Sequence, residues 1–411
     1  MRRPGQMKRN AAVLTALLFF WQAAGPGLMY GYVLSYTVGD LRLPPGESGG
    51  TACPHLNRFS TTTAGVIDRR WSTSLGTSPV TILTTDQSPA GRLNEIDAAL
   101  VESYSAWTGV TGTTLAGPAL GPLNRTSTPQ ACQAIDGLNT ICFNQSDLLF
   151  SGNVLAFTRV VTSDIIGELP FPNNPPSSFV GEVLDADILV RPGDGAVMFA
   201  TPAALGSNPR AFDLESIVIH ELGHAWGFSH SAVWGAMMFP FAPPRSQFSG
   251  ERPTAQVPDA PLTEDDRAGL RVLYPDPSDT VHIVSIEGRI LPANPLSLAG
   301  LVGVSGMFGA HVVLVDDATG GVVAGALAGW SCSGTGPPQF DGFYRVERLP
   351  VGPDQRYRVF VEPLDGPVVD GNIAATTQSL CRNPTTDPGW PPLSACTAPE
   401  VNSNFTTRIR P

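Results

Sequence analysis

Lysine is almost missing from this chain of 411 residues: Lys8 is the single occurrence, and every other basic side chain besides histidine is an arginine. Positive charge is scarce altogether, with 25 Lys and Arg against 36 Asp and Glu and a formal net charge of −11. That balance argues against a nucleic-acid partner, which needs a clustered basic surface. Long apolar runs are lacking too. AAVLTALLFFW (Ala11–Trp21) is soon followed by Gly25, Pro26 and Gly27 and falls short of the ~20 residues that span a bilayer. Cysteine and histidine number only six each. Glycine (43) and proline (39) are plentiful instead, which predicts many turns and much β structure.

The apolar run carries Arg2, Arg3, Lys8 and Arg9 before it and Ala23, Ala24 and Gly25 after it, the layout of an export signal over residues 1–25. An uncleaved membrane anchor is the alternative, because no charge falls between Asn10 and Gly39. No cysteine stands near Gly25, which argues against a lipid-modified N-terminus. Export places the cysteines in an oxidising compartment that favours disulfides. Cys132 with Cys142 and Cys381 with Cys396 are read as closing small loops, which leaves Cys53 and Cys332 without an assignment.

Residues 26–65 are rich in Gly, Pro, Ser and Thr and show no period. Strand character follows in PVTILTT (Pro79–Thr85), VLAFTRVV (Val154–Val161) and ADILV (Ala186–Val190). NEIDAALVESYSAW (Asn94–Trp107) predicts an amphipathic helix, with Ile96, Leu100, Tyr104 and Trp107 on one stripe. A second helix is expected in DLESIVIHELGHAWGF, with Asp213 as its N-cap. A third is expected in LTEDDRAGLRVLY (Leu262–Tyr274), where Thr263 and Asp266 fit a capping box. PDPSD (Pro275–Asp279) reads as a linker that closes a unit over 66–276. Beyond it, over 281–411, HIVSIEGRIL, AHVVLVDD, GFYRVERL and RYRVFVEPL alternate between Gly/Pro turns, the pattern of a small antiparallel β-sandwich.

Three of the six histidines crowd into HELGHAWGFSH (His220–His230). On a helix His220 and His224 stand one turn apart on one face, a spacing at which two neutral imidazoles can hold one Zn²⁺. Gly227 lets the chain leave the helix sharply, so that His230 can return as a third ligand. Three protein ligands leave a fourth position open, the arrangement of a catalytic zinc site. Glu221 is set to the side of the ligands. There it can serve as general base, taking a proton from a zinc-activated water, and then as general acid toward the leaving nitrogen.

The complete H-E-x-x-H-x-x-G-x-x-H is the metzincin signature, and the likeness extends further. SAVWGAMMFP after His230 resembles the Met-turn of the matrixin-type metzincin zinc metalloproteases, with Met238 in the Met-turn position. RRW (Arg69–Trp71) and the Asn94–Trp107 helix resemble the start of that family's domain, GNVLAF (Gly152–Phe157) its substrate-pairing edge strand, and Leu262–Tyr274 its C-terminal helix. The resemblance implies an α+β zincin fold in which a twisted mixed sheet carries the active-site helix. It also implies departures. Between His55 and His220 there is no histidine, and Phe157 stands where a ligand of the family's structural zinc is expected, so one zinc is expected rather than two. Val233 and Ala242 replace an expected aspartate and tyrosine. About forty residues precede Arg69 after the signal, too few for the family's pro-domain. Cys53 in TACPHL is read as a disulfide or structural cysteine, with a switch thiolate as the other reading. Glu182, Asp185 and Asp187 offer oxygen ligands for a calcium ion, against the plainer reading of solvated surface carboxylates. His282 and His311 are read as ordinary surface or edge histidines.

GAHVVLVDDATGGVV and DGFYRVERLPVG in the last third resemble the carboxypeptidase regulatory-like (transthyretin-like) β-sandwich. No nucleophile or metal cluster falls there, and the fold alone implies no activity. The expectation is therefore an exported zinc endopeptidase acting on protein or peptide substrates. Its site is His220, His224 and His230 as metal ligands, Glu221 as acid–base and Met238 beneath them. The alternative is a binding or adhesion protein built on an inactive metalloprotease-like domain. Intact ligands and an intact Glu221 argue against it.

Overall fold

The computed structural model describes residues 70–72, 93–115, 135–143, 150, 154–163, 167, 176–179, 181–192, 197–231, 233–248, 261–292, 306–307, 310–328, 342–353 and 355–362, together with short strands at 36–38, 66–68, 82–85, 125–126 and 408–410. The segment 1–25, Gly152 and Asn153, and every cysteine except Cys142 lie outside the described residues.

Strands β1 (Tyr36–Val38) and β2 (Val66–Asp68) pair antiparallel, so a strand lies in a segment whose composition shows no period. Then come β3 (Ile82–Thr85), α1 (Leu93–Thr108), β4 (Arg125–Thr126), β5 (Asn139–Cys142), β6 (Ala156–Thr162) and β7 (Val183–Val190). They are followed by β8 (Phe199–Ala200), α2 (Pro202–Leu205), β9 (Phe212–Asp213), α3 (Leu214–Trp226) and α4 (Glu264–Leu273). A five-stranded sheet runs in the order β4-β3-β5-β7-β6. Its pairings are parallel except the last, where β6 lies antiparallel to β7 at the edge. This is the mixed sheet of an α+β domain.

The helices α1 and α3 pack on each other, and α3 also packs on β6 and β7. The predicted stripe of α1 is buried throughout, from Ile96 to Trp107, and the Trp107 indole donates to the Ile219 carbonyl of α3 at 2.8 Å. The far end of α3 is clamped by two distant segments. The Trp71 indole donates to Ala225 O at 2.9 Å, and the Tyr274 hydroxyl donates to Trp226 O at 2.6 Å while accepting the Trp71 amide at 3.0 Å. Three polar groups thus satisfy one another inside the core, as burial demands.

Beyond α4 stand β10 (Val284–Arg289), β11 (His311–Asp316), β12 (Val322–Leu327), β13 (Phe343–Leu349), β14 (Tyr357–Glu362) and β15 (Arg408–Arg410). They form a two-stranded sheet β10-β13 and a four-stranded sheet β12-β11-β14-β15, all antiparallel. Val312, Leu314, Tyr344, Val346 and Leu349 share an apolar cluster that also takes in Ala268 of α4. Helix α4 therefore has two buried sides: Leu270 and Leu273 enter the first core and Ala268 the second. The segment read as a linker is held as well. Asp276 donates its amide to Gly112 O at 3.1 Å, and Asp279 caps the amides of Val281 and His282.

Candidate metal centre

Helix α3 begins where the sequence predicts: the Asp213 carboxylate accepts the Ser216 amide at 2.7 Å, an N-cap bond. It ends at Gly227, whose φ of 111° is the left-handed conformation that glycine adopts without a Cβ penalty. The reversal there brings His230 back over the helix. The imidazoles of His220, His224 and His230 lie with ring centroids 4.8–5.3 Å apart, and one nitrogen from each falls within 4.8 Å of the others. Among the described residues this is the one group of three or more His, Cys or acidic side chains that could hold a metal ion.

Two backbone carbonyls orient the rings. His220 Nδ1 lies 2.7 Å from Met237 O, and His224 Nδ1 lies 3.0 Å from Phe228 O. A carbonyl only accepts, so each Nδ1 carries the proton and each Nε2 keeps its lone pair for a ligand. Burial pushes the imidazolium forms down, His220 to about 3 with help from the neighbouring His224, and His224 to about 4. Neutral nitrogens aimed at a common point are the donor set zinc takes. The three residues fit the group.

Glu221 is 1% exposed and sits beside this triangle. Its Oε2 accepts a hydrogen bond from the Thr158 hydroxyl at 2.6 Å, and Oε1 makes no hydrogen bond among the described residues. Burial pushes the carboxyl up to about 8 against the opposing effect of that bond. Thr158 is a site residue that sequence reasoning did not single out. It stands in the strand VLAFTRVV, but nothing local in the sequence shows that its side chain reaches a helix 63 residues away.

Met238, fully buried, lies under the helix at Gly223. A Cβ at Gly223 would collide with the Met238 sulfur and come within 2.8 Å of the Trp107 ring, so this glycine lets the Met-turn approach the helix backbone. Asp266 holds the turn from below, accepting the amides of Met237 at 2.9 Å and Met238 at 3.1 Å. The same carboxylate accepts the Thr263 amide at 3.0 Å, completing the capping box that starts α4.

Next to His220 and Glu221 opens an apolar pocket walled by Leu155, Ala156, Ile217, Phe239, Phe241 and Pro243. Ala242 also lines it. Ala156 is the first residue of the edge strand β6 and Leu155 precedes it, so the pocket adjoins both that strand and His220. Phe157 packs on Phe150, ring centroids 5.5 Å apart. The three residues considered for calcium lie in and beside β7. Glu182 accepts from Ser178, and Asp187 from Arg159 and Thr140. Asp185 is 1% exposed and lies within the electrostatic reach of Asp187 and Arg159. These carboxylates are buried, which corrects the picture of a solvated acidic surface. His282 pairs with Asp279, and His311 is fully buried on β11 rather than at a surface.

Residues 149–275 match the Matrixin family. The chain is 41% identical over 64 residues to Metalloendoproteinase 1 of Glycine max, covering 16% of this chain and 17% of that protein. It is 40% identical over 108 residues to Metalloendoproteinase 1-MMP of Arabidopsis thaliana, covering 24% and 27%. With Metalloendoproteinase 4-MMP of the same plant it shares 39% over 64 residues, 16% of each chain. The chain thus spans no more than 27% of the length of these curated relatives. The segment that is similar to the matrixins contains the histidine triangle, Glu221, the Met-turn, the edge strand and α4.

Proposed function

We propose that this protein is an exported zinc endopeptidase that hydrolyses peptide bonds in protein or peptide substrates. The observation that carries the reading is the convergence of His220, His224 and His230 beside a buried Glu221, within a segment that matches the matrixins. When bound, zinc supplies a Lewis acid for the peptide carbonyl and lowers the pKa of water toward ~7. The Nε2 lone pairs of His220 and His224 and one ring nitrogen of His230 would hold it, with the rings of His220 and His224 kept in register by Met237 O and Phe228 O. Glu221 Oε1 takes the proton of the attacking water and returns it to the departing amine. The substrate lies extended along β6 by strand addition, and the pocket walled by Ile217, Phe239 and Phe241 receives an apolar side chain of it.

Export rests on the N-terminal basic and apolar segment, and pairing of the cysteines in disulfides would accord with an oxidising compartment. Retention of the N-terminal segment would make the protein membrane-anchored instead; no helix among the described residues is long and apolar enough to cross a membrane. The reading includes zinc alone, since Glu182 and Asp187 already have protein partners and no calcium cage gathers among the described residues. It also treats 281–411 as a regulatory-like β-sandwich without chemistry of its own. Digestion of a peptide library with and without a chelator, followed by zinc readdition, tests the activity. Cleavage that is lost and then restored is expected. Stoichiometric zinc without cleavage would favour a binding protein.

A further inference from the structure

We infer that Thr158 is a positioning residue for Glu221, tying one carboxylate oxygen to the sheet edge and leaving the other for proton transfer. This rests on the endopeptidase reading. Both groups are buried, Thr158 at 7% and Glu221 at 1% exposure. The Thr158 hydroxyl stands 2.6 Å from Glu221 Oε2 and 2.9 Å from the Glu221 backbone carbonyl. When Glu221 is in its ionised, base form, its carbonyl and its carboxylate both accept, so the hydroxyl donates its one hydrogen between them, and the shorter contact lies in the range of charge-assisted bonds.

The consequence is an asymmetry between the two oxygens. Oε2 is anchored, while Oε1 makes no hydrogen bond among the described residues. A glutamate has three side-chain torsions, and a base must hold its oxygen within hydrogen-bond reach of the proton it takes. An anchor on one oxygen removes most of that freedom. Its location adds a second constraint. Thr158 belongs to β6, paired through Ile188 to β7 on one side and lying at the edge of the sheet on the other. Ala156, the first residue of the same strand, and Leu155 just before it wall the pocket. The strand that would receive the peptide therefore also holds the base, so their separation is set by one rigid element rather than by two.

Thr158→Val keeps the shape and removes the hydroxyl; Thr158→Ser keeps the hydroxyl and removes a methyl. With each variant carrying one zinc, kcat and KM are measured on a single chelator-sensitive peptide, and crystal structures are determined of the zinc-free wild type and Thr158→Val. Misplacement of a catalytic group by ~1 Å costs up to ~10²-fold, so Thr158→Val should lose roughly ten- to a hundredfold in kcat with KM little changed. Thr158→Ser should recover most of it. The Glu221 carboxylate should leave its wild-type position in Thr158→Val. Wild-type kcat in the valine variant, equal losses in the valine and serine variants, or an unmoved carboxylate would each overturn the inference. If the wild type cleaves nothing, the endopeptidase reading fails, and the carboxylate position still decides whether Thr158 is its anchor.

Discussion

The carboxylate of Asp265 is shared between the Ser231 hydroxyl, 2.7 Å from Oδ2, and the Gly325 amide, 3.0 Å from Oδ1. Ser231 follows His230 directly, accepts the Val233 amide at 3.0 Å and donates its own amide to Met238 O at 2.7 Å. Gly325 belongs to β12 of the C-terminal sheet. One fully buried acid of α4 therefore joins the C-terminal unit to the loop that carries His230. Asp265→Ala should destabilise the protein by about 2–6 kcal/mol, since each of the two partners left buried and unsatisfied costs ~1–3 kcal/mol. Zinc affinity should fall with it. Urea unfolding and metal competition measure the two; unchanged values in both would mean that Asp265 supports neither side.

The same contact bears on where the chain can be cut. All the motifs precede Asp279, which by itself suggests that the C-terminal unit is dispensable. Yet ending the chain there would expose Ala268, strip the Gly325 amide from Asp265 and remove the Arg348 carbonyl that Arg271 contacts at 3.4 Å. A chain ending at Asp279 should therefore melt at lower temperature than the full chain. Equal melting temperatures would make the docking incidental.

Gly223→Ala should be destabilising even though alanine favours a helix by ~1 kcal/mol over glycine. The added methyl meets the Met238 sulfur and the Trp107 ring, both in a packed core where overpacking costs typically ~1–3 kcal/mol. Thermal denaturation of the variant decides this, and a gain in melting temperature would show that the Met-turn has room beneath the helix.

Asp185 gives the protein a pH dependence of known sign. Burial, together with the charge of Asp187 and against that of Arg159, pushes its carboxyl up to about 8. The folded state then binds more protons than the unfolded state between about pH 4 and 8. Stability from this group is complete below about pH 4 and is lost as pH rises through 8. Asp185→Asn removes the titration, so the variant should gain on the wild type steadily from pH 5 to pH 8 in paired unfolding measurements. A difference that stays constant over that window would mean the carboxyl titrates normally.

The parts that were legible in the sequence are those whose signals are local. Asp213 and Gly227 bound α3, Thr263 and Asp266 start α4, and the apolar stripe of α1 is buried as its spacing predicts. Strand β5 escaped for a physical reason. NTIC is four residues long and buried at every position, so it has no alternation to read, as expected for a central strand. Its polar groups are satisfied from β7: Asn139 accepts the Ala186 amide at 2.9 Å, and Thr140 bonds to Asp187. Thr158 and Asp265 were illegible for a related reason. Their partners lie 63, 34 and 60 residues away, and only the folded chain brings them together.

The separation of two roles on α3 is the centre of this account, and a single preparation tests it. His220 and His224 belong to the histidine triangle, while Glu221 bonds to Thr158 and is assigned the proton transfer. Zinc content and peptide cleavage should be measured on the same purified Glu221→Ala sample, beside His224→Ala. Glu221→Ala should keep one zinc per chain and lose cleavage by ~10²–10⁴-fold, the contribution of a positioned acid–base group. His224→Ala should lose both. Wild-type cleavage by Glu221→Ala would remove that residue from the chemistry, and loss of its zinc would make Glu221 a ligand, contradicting the assignment.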